Sequence, residues 1–248
     1  MNYKTLILGA TCLLSFQATA GSMGDILPSC SKVITFSGGP AWYNEGRSQT
    51  IQLQEDVTKY YQAQSSTKAL ATGEIFFGVS SPLSETFSGQ LGLAVAHNGS
   101  ASQRGFIWED ADPNFSNYRY DYNISNTRIT VKGKLLSATP YPWLNPYISA
   151  GAGIGFNKAD NFSITPLIYQ EVAAPPFASN TETAFSYTAG AGLQFPLNPN
   201  WQAGIGYEFA DWGKSQLNRA SNQTMNTGPK LSHFYTHELQ ISLTYIIG

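Results

Sequence analysis

The chain has 248 residues, a formal net charge of −2, 12% charged residues and 13% aromatic residues. It has too few charges and too many aromatic side chains for a disordered chain, so a packed or membrane-embedded fold is expected. The near-neutral balance has no basic stripe that could gather phosphates, which argues against nucleic-acid binding.

The first twenty residues have the organisation of a secretory signal peptide. Lys4 supplies a positive n-region, residues 6–16 form an apolar core, and Ala18-Thr19-Ala20 is an A-x-A cleavage site. The apolar run is shorter than the roughly 20 residues that a transmembrane helix needs. The sequence therefore predicts export, with a signal peptide over residues 1–20 and a short periplasmic segment over residues 21–31. Cys30 would be the only cysteine left, so no intrachain disulfide is expected.

Apolar residues alternate with small or polar residues along most of the remaining chain, which is the period of β-strands. No later stretch is apolar enough to cross a bilayer as a helix, so a spanning structure would have to be a closed β-barrel. Four strands are predicted near residues 33–43, 69–80, 86–97 and 118–137. Four more are predicted within YISAGAGIGF (147–156), AFSYTAGAGLQF (184–195), WQAGIGYEFAD (201–211) and HFYTHELQISLTYIIG (233–248).

The strand predicted at residues 118–137 changes its parity. Its outward residues shift from even to odd positions, from Tyr118, Tyr120 and Tyr122 to Ile129, Val131 and Leu135. A β-bulge between Ile124 and Thr127 would explain this shift.

The connections between the predicted strands alternate in length. Short, proline-containing links occur at residues 81–85, 139–146 and 196–200, and long polar stretches at residues 45–67, 98–117, 159–182 and 212–231. Outer-membrane barrels place short turns in the periplasm and long loops outside the cell. The sequence thus predicts an all-β fold over residues 32–248: an eight-stranded antiparallel up-and-down transmembrane β-barrel with four short periplasmic turns and four long extracellular loops.

Aromatic residues cluster at both ends of the predicted strands, which is typical of interface girdles. The predicted girdle residues are Trp42, Phe87, Phe156, Phe185, Phe195, Trp201, Phe209, Tyr235 and Tyr245. A soluble barrel of the lipocalin type would place the apolar rows inside and the polar rows outside. The glycine-rich, charged rows cannot form a close-packed apolar core, so we expect them to line the lumen and the aromatic rows to face lipid.

The sequence resembles the small outer-membrane β-barrel family, the OmpA-like and Opa-like proteins. The resemblance rests on TFSGGPAWY, NPYISAGAGIGF, TAGAGLQFPLNPNWQAGIGYEF and the last strand, and it covers nearly all of the chain after the signal peptide. It implies a bacterial, Gram-negative outer-membrane location, with outer-membrane lipid, lipopolysaccharide and the outer-membrane assembly machinery as partners. The family usually ends in an aromatic residue, whereas this sequence ends Tyr245-Ile246-Ile247-Gly248.

Several charged residues fall on the predicted lumen face. They are Glu74, Arg128, Lys132, Lys134, Glu208 and Glu238. Unpaired charges inside the barrel would be costly, so we expect a lumen charge network in which Lys132 or Arg128 pairs with Glu208. The interior of an eight-stranded barrel is only wide enough for side chains, so the network would plug it. The resemblance also implies an alternative, because some family members gate a narrow conductance with such a network.

Candidate chemistry outside the lumen is sparse. His97 lies in HNGS, near Asp110 and Asp112 in the sequence, which leaves open an outer-leaflet lipid-modifying enzyme built around His97 or His233. His233 and His237 alone make an incomplete metal site, so neither a metal nor a cofactor is expected. We expect a non-enzymatic protein that acts in membrane integrity or through loop contacts with a host-cell surface protein or glycan. The candidate contact residues are Tyr60, Tyr61, Phe106, Trp108, Phe115, Phe162, Tyr169 and Phe177.

Overall fold

The computed structural model describes residues 30–44, 46–141, 143–169, 172 and 174–247. The predicted signal peptide and residues 21–29 of the predicted periplasmic segment lie outside the described residues. The first strand of the described residues begins at Ser31, close to the predicted start of the barrel at residue 32.

Strands form nearly all of the described secondary structure. They are β1 Ser31–Asn44, β2 Gln49–Gln54, β3 Val57–Ala63, β4 Thr67–Pro82, β5 Phe87–Glu109, β6 Ser116–Ser137, β7 Asn145–Pro166, β8 Asn180–Pro196, β9 Trp201–Asp211, β10 Ser215–Gln216, β11 Lys230–Leu231 and β12 Tyr235–Ile247. A single 3₁₀ turn, Pro113–Phe115, joins β5 to β6. None of the helical structure in the described part of the chain is long and apolar enough to span a membrane.

Eight antiparallel strands close into a ring. The order of strands around the ring is β1, β4, β5, β6, β7, β8, β9 and β12, and each strand pairs with the next. The ring closes because β12 pairs with β1, from Lys32↔Ile247 to Tyr43↔Thr236. The predicted eight-stranded antiparallel fold is therefore confirmed. The described residues contain three short turns, at 83–86, 138–144 and 197–200, one fewer than expected. The reason is that both described chain ends lie at this end of the ring, where β1 pairs with β12 instead of being joined to it by a turn.

Two of the four predicted long loops are largely strand. Residues 45–67 contain the hairpin β2–β3. Strand β3 of this hairpin pairs with the C-terminal end of β5, from Lys59↔Glu109 to Ala63↔Gly105. Residues 98–117 continue β5 and β6 to a tight turn at residues 110–115. The two remaining long connections are loop 3, residues 167–179, and loop 4, residues 212–234, which contains the short strand pair β10–β11. The alternating sequence QTIQLQ explains why residues 45–67 form strands instead of an irregular loop. Its apolar residues, Ile51 and Leu53, lie on the inward face of β2, above the membrane.

The prediction of a bulge in β6 between Ile124 and Thr127 was wrong. Even-numbered side chains of β6 face inward from Tyr118 to Lys132, so its parity is constant. The register shifts nearest to the predicted position lie on the neighbouring strands, between Asn98 and Ala101 in β5 and between Asp160 and Ser163 in β7. A further shift lies at the start of β6, between Ser116 and Tyr118. Asn161, at φ 56°, adopts the left-handed conformation that asparagine tolerates better than most residues. The tyrosines of β6 therefore point into the molecule rather than outward.

The polarity of the two faces reverses along the long strands. In the lower part, outward side chains are apolar and exposed, among them Phe36, Phe77, Leu93, Val131, Ile148 and Ile241. In the upper part, most outward side chains are polar, among them Arg104, Arg119, Lys158 and Ser163. The lower part thus has the surface of a lipid-embedded barrel, with the short turns in the periplasm. The upper part has the surface of a water-soluble β-structure, and we call it the extracellular cap; it comprises β2, β3, the upper parts of β5, β6 and β7, and loops 3 and 4.

Candidate functional site

The lumen charge network is centred on Arg128, which projects inward from β6 and is fully buried. Its Nη1 and Nη2 atoms each donate to Glu238 at 3.1 Å, and Nη2 also lies 3.3 Å from Glu208. The fork of the guanidinium group matches a carboxylate bidentately, so Arg128 holds the Glu238 carboxylate in a fixed orientation.

Polar neighbours complete the hydrogen bonding of the Glu238 carboxylate. Asn98 Nδ2 donates to Oε1 at 3.0 Å, and the hydroxyls of Thr72 and Thr236 donate at 3.3 Å and 3.1 Å. Gln240 Nε2 adds a bond of 3.2 Å. A buried carboxylate with this many donors is stabilised in its charged form, because the donors replace the water that it loses on burial.

Lys132 forms the second centre of the lumen charge network, four residues after Arg128 on the same face of β6. Its Nζ atom lies 2.6 Å from Glu74 and 2.5 Å from Glu208. Glu208 therefore binds both Lys132 and Arg128, the two partners that the sequence suggested. The result is a chain of five buried charges in the order Glu74, Lys132, Glu208, Arg128 and Glu238, contributed by β4, β6, β9 and β12.

Lys134 does not join this chain of ion pairs. Its Nζ atom lies 4.7 Å from the ring centroid of Tyr147 and 5.9 Å from that of Phe76, both inside the barrel. The ring of Tyr147 packs against the inner face where Gly192 pairs with Gly206, and a Cβ atom on Gly206 would lie within 2.3 Å of its hydroxyl. The small residues of the lumen face thus make room for an inward aromatic ring and the lysine above it.

A neutral polar layer lies above the charges. Asn126 donates to the side-chain oxygen of Asn157 at 2.7 Å, and Asn157 donates to the backbone carbonyls of Trp212 and Lys214, both at 2.7 Å. This layer fastens the start of loop 4 to the barrel wall. Trp212 continues the connection, because its indole N–H donates to the Thr236 hydroxyl at 3.2 Å and that hydroxyl donates to Glu238.

Above this layer the inside of the molecule becomes apolar and aromatic. Tyr61 of β3, Tyr120 and Tyr122 of β6, Phe162 of β7 and Phe177 of loop 3 pack with ring centroids 4.8–6.3 Å apart. Other members of this core are Tyr43, Ile51, Ala101, Ile107, Tyr118, Ile124, Ala159, Ala210, Trp212, Leu217, Leu231 and Phe234. Aromatic pairs at these separations stabilise a fold beyond the area that they bury. The extracellular cap therefore has an apolar core of its own, and some of the strands around this core also form the barrel.

Loop 4 covers the open edge of β2. The backbone N–H groups of Thr224 and Met225 donate to the Leu53 carbonyl at 3.2 Å and 3.1 Å. Gln54 Nε2 donates to the Asn222 carbonyl at 2.8 Å, and Asn226 Nδ2 donates to the Gln52 carbonyl at 2.7 Å. An uncovered edge strand could pair with another chain, so loop 4 protects the extracellular cap from edge-to-edge association.

The candidate contact residues of the loops divide into two groups. Tyr61, Phe162 and Phe177 are buried in the core of the extracellular cap, so they cannot contact a partner directly. Phe106, Phe115 and Tyr169 are exposed, and Tyr60 and Trp108 lie half-buried with their rings 4.7 Å apart. Within β3, Tyr60 and Tyr61 are separated because consecutive residues of a strand point to opposite sides.

The exposed group extends to residues that the sequence analysis did not single out. Leu167, Ile168, Tyr169 and Val172 of loop 3 are between 50% and 89% exposed, and Phe115 is 53% exposed. The Leu167 N–H donates to the Asn117 carbonyl at 2.8 Å, which holds loop 3 beside the β5–β6 turn. We call these five residues the cap tip. The run Leu167-Ile168-Tyr169 was the available signal, since it is an apolar run within a loop.

The histidines lie on the outer surface. His97 is exposed in the middle of β5, 3.0 Å from the Thr127 hydroxyl, whereas Asp110 and Asp112 lie at the far tip of the β5–β6 hairpin. His237 contacts the Tyr207 hydroxyl at 2.6 Å, and His233 Nδ1 contacts Asp211 Oδ2 at 2.7 Å. In the part of the chain that the structure describes, no three His, Cys, Asp or Glu residues are grouped closely enough to hold a metal ion.

The girdle residues lie on the outward face of the lower part. Trp42, Phe185, Phe209 and Tyr235 lie near the extracellular ends of their strands, where the rings of Phe209 and Tyr235 are 5.5 Å apart. Phe156 lies at the same level in the middle of β7, because β7 continues into the extracellular cap. The four girdle residues at the periplasmic ends are Phe87, Phe195, Trp201 and Tyr245. The Trp201 and Tyr245 rings are 4.8 Å apart. Along β8, β9 and β12 the two groups span nine to eleven residues, counted inclusively, which is the length that a tilted strand needs to cross a bilayer.

A closed eight-stranded ring with an apolar outer band, aromatic ends and a charged interior defines an outer-membrane β-barrel protein of Gram-negative bacteria. The family model described as "Outer membrane protein beta-barrel domain" matches residues 37–246, and the chain belongs to this family. No curated protein matches the sequence significantly.

Solved structures of outer-membrane proteins have a similar fold. Neisserial surface protein A is 12% identical, with 88% of this chain and 98% of that chain covered and a TM-score of 0.45. The attachment invasion locus protein Ail of Yersinia pestis, in complex with the heparin analogue sucrose octasulfate, is 15% identical, with 88% of this chain and 97% of that chain covered and a TM-score of 0.39. OprG from Pseudomonas aeruginosa is 11% identical, with 90% of this chain and 99% of that chain covered and a TM-score of 0.48.

Proposed function

We propose that this protein is a non-enzymatic outer-membrane barrel with a closed lumen, which uses its extracellular cap to bind a host-cell surface protein or glycan. The observation that carries the proposal is the cap tip, five exposed apolar residues at the outermost end of a packed β-structure. Large exposed apolar patches on ordered surfaces commonly mark interaction sites, and aromatic residues dominate their binding energy.

The ordered support of the cap tip strengthens the proposal. Loop 3 is anchored on one side by the bond from Leu167 to Asn117 and on the other by the buried ring of Phe177. The Tyr118 hydroxyl adds a bond of 3.3 Å to the Val172 carbonyl. A partner that binds the cap tip would therefore have less loop ordering to offset than one that binds a disordered loop.

Replacing Leu167, Ile168 and Tyr169 together with serine tests the contact. Bacteria that carry this variant should lose at least tenfold in attachment to host cells, compared with bacteria that carry the unchanged protein at the same surface level. The matched control replaces Tyr141, Trp143 and Leu197 with serine, because these residues are equally exposed but lie in the periplasmic turns. Undiminished attachment of the cap-tip variant would exclude the cap tip as the binding surface.

A closed lumen is supported by the five paired charges and by the inward rings of Phe76 and Tyr147. In planar bilayers the protein should give no steady large conductance steps. Large steady steps from the unchanged protein would contradict a closed lumen, and small, regular openings would support the alternative of a narrow pore.

One observation favours an outer-leaflet enzyme as the second candidate. The Asp211 carboxylate fixes His233 Nδ1, an arrangement that orients a general base in many hydrolases. Among the described residues, no serine, threonine or cysteine side chain hydrogen-bonds to His233. Mass spectrometry of lipid A should therefore give the same profile with the protein, without it and with His233→Ala. A lipid change that depends on His233 would establish the enzyme instead.

A further inference from the structure

The extracellular cap contains a cavity of about 150 Å³. Its wall comes from the inward faces of β3, β5, β6 and β7, through Tyr61, Ile107, Tyr118 and Ile164, and loops 3 and 4 cover it. Tyr61, Ile107 and Tyr118 are at most 3% exposed, so this wall is part of the packed core.

The lining of the cavity is mainly hydrocarbon. Leu53 and Val57 of the β2–β3 hairpin and Phe177 and Ala220 of the two loops complete the apolar surface. Pro175 and Asn222, which also line the cavity, are exposed, so its rim can be reached from outside the cell. The cavity is therefore both preformed and accessible, as small-molecule sites usually are.

Three polar side chains that line the cavity, Lys59, Gln54 and Gln223, are already engaged with other groups. Lys59 pairs with Glu109 at 3.1 Å, and Gln54 donates to the Asn222 carbonyl. Gln223 donates to the Met225 carbonyl at 2.7 Å and accepts from the Ala220 N–H at 3.0 Å. A charged ligand would have to break one of these bonds to be satisfied, whereas a neutral hydrocarbon would not.

We propose that this cavity is a binding site for a small neutral hydrocarbon, of the size of a monocyclic aromatic ring. An apolar cavity of roughly 150 Å³ in another protein stays dry and binds benzene, so the volume suits this class of ligand. The site faces the cell exterior, shares no lining residue with the cap tip, and does not depend on the contact proposed for the cap tip.

Toluene is the probe for this site. The refolded protein, labelled at the methyl groups of isoleucine, leucine and valine in deuterated detergent, is titrated with toluene and followed by NMR. The methyl groups of Leu53, Val57, Ile107 and Ile164 should shift in a saturable way and give nuclear Overhauser effects to the toluene ring. Ile129 and Ile154 face the detergent, so they report toluene dissolved in the micelle, and their shifts should rise linearly without saturation.

Two matched variants separate the cavity from the rest of the extracellular cap. Ala220→Leu places three further carbon atoms inside the cavity and should weaken toluene binding at least tenfold. Ala178→Leu makes the same change at an exposed position of loop 3 that does not line the cavity, and binding should stay within twofold. The unchanged protein is itself decisive: shifts confined to Ile129 and Ile154 would overturn the proposal. Equal toluene binding by Ala220→Leu would also overturn it.

Discussion

The barrel and the extracellular cap share three strands but have opposite interiors. On β6, the inward residues are Arg128, Thr130 and Lys132 in the barrel and Tyr118, Tyr120 and Tyr122 in the cap. The outward residues reverse at the same level, because lipid surrounds one part and water the other. The comparison shows that alternation along a strand defines two faces, while the surrounding medium determines which face is apolar.

The two interiors are also stabilised differently. The lumen depends on buried charges that are favourable only while each has its partner, whereas the cap depends on packed aromatic rings. Truncations inside the barrel should therefore act through uncompensated charge, and truncations inside the cap through lost packing.

The largest effect is expected at Arg128. Arg128→Met removes the shared partner of Glu208 and Glu238, which leaves buried carboxylates uncompensated and should lower the free energy of unfolding by about 3–5 kcal/mol. Urea unfolding of the refolded protein in detergent measures the change. The triple variant Arg128→Met, Glu208→Gln, Glu238→Gln should regain part of the stability. Arg119→Met, on the exposed outer face of the same strand, should be nearly neutral, and an equal loss there would remove burial as the cause.

Trp212→Ala tests whether the cap can fail alone. The ring is fully buried and lies 4.6 Å from that of Phe234, so its loss should cost about 3–5 kcal/mol, but only in the extracellular cap. Trypsin should then cut loop 4 at Lys214, Arg219 or Lys230, while the unheated barrel still migrates differently from the boiled protein on a gel. Loss of that migration difference would mean that cap and barrel unfold as one unit.

Two lysine substitutions on the outer face of β6 test whether lipid surrounds the lower part of the strand and water the upper part. Val131 faces lipid in the middle of the barrel and Asn123 faces outward above it. Val131→Lys should cost about 2–4 kcal/mol, because the charge enters the hydrocarbon. Asn123→Lys should change stability by less than about 0.5 kcal/mol. Folding into lipid vesicles under urea measures both, and similar values would place the upper boundary of the membrane at a different level.

The smallest of these effects is expected at the junction. Asn157→Ala leaves the carbonyls of Trp212 and Lys214 without their side-chain donor, at a cost of about 1–3 kcal/mol. Hydrogen exchange should become faster at the start of loop 4 and remain unchanged in β12. Uniformly faster exchange would show that Asn157 supports the barrel as a whole. Asn161→Gly, at the β7 bulge, is a control that leaves this layer intact and keeps the left-handed backbone conformation.

The sequence predicts the lower part better than the upper part. Strand alternation, the short turns and the inward charges of Arg128, Lys132 and Glu208 all follow from a constant rule of apolar outside and polar inside. The same rule assigned Tyr118, Tyr120 and Tyr122 to the outer face and required a bulge between Ile124 and Thr127, where β6 has none. It fails there because these residues lie above the bilayer, a level that the local sequence does not mark.

The charge network could be anticipated in its members but not in its geometry. Parity places Glu208 and Glu238 inside, whereas pairing with Arg128 depends on the register of β6, β9 and β12. The neutral partners Asn98 and Asn157 were missed because asparagine in a presumed loop is unremarkable in a sequence. The side chain of Asn98 points inward at the β5 bulge. Its position therefore depends on the register between β5 and β6, which the sequence does not show.

The covered edge of β2 has a consequence for immune recognition. At this junction the surface outside the cell joins residues that are 168 and 181 positions apart in the chain, Gln54 with Asn222 and Gln49 with Lys230. An antibody that binds across the junction recognises a discontinuous epitope. A synthetic peptide of loop 4 would not reproduce that epitope, because its conformation depends on the hydrogen bonds to β2. Immunisation with the folded barrel would present it intact.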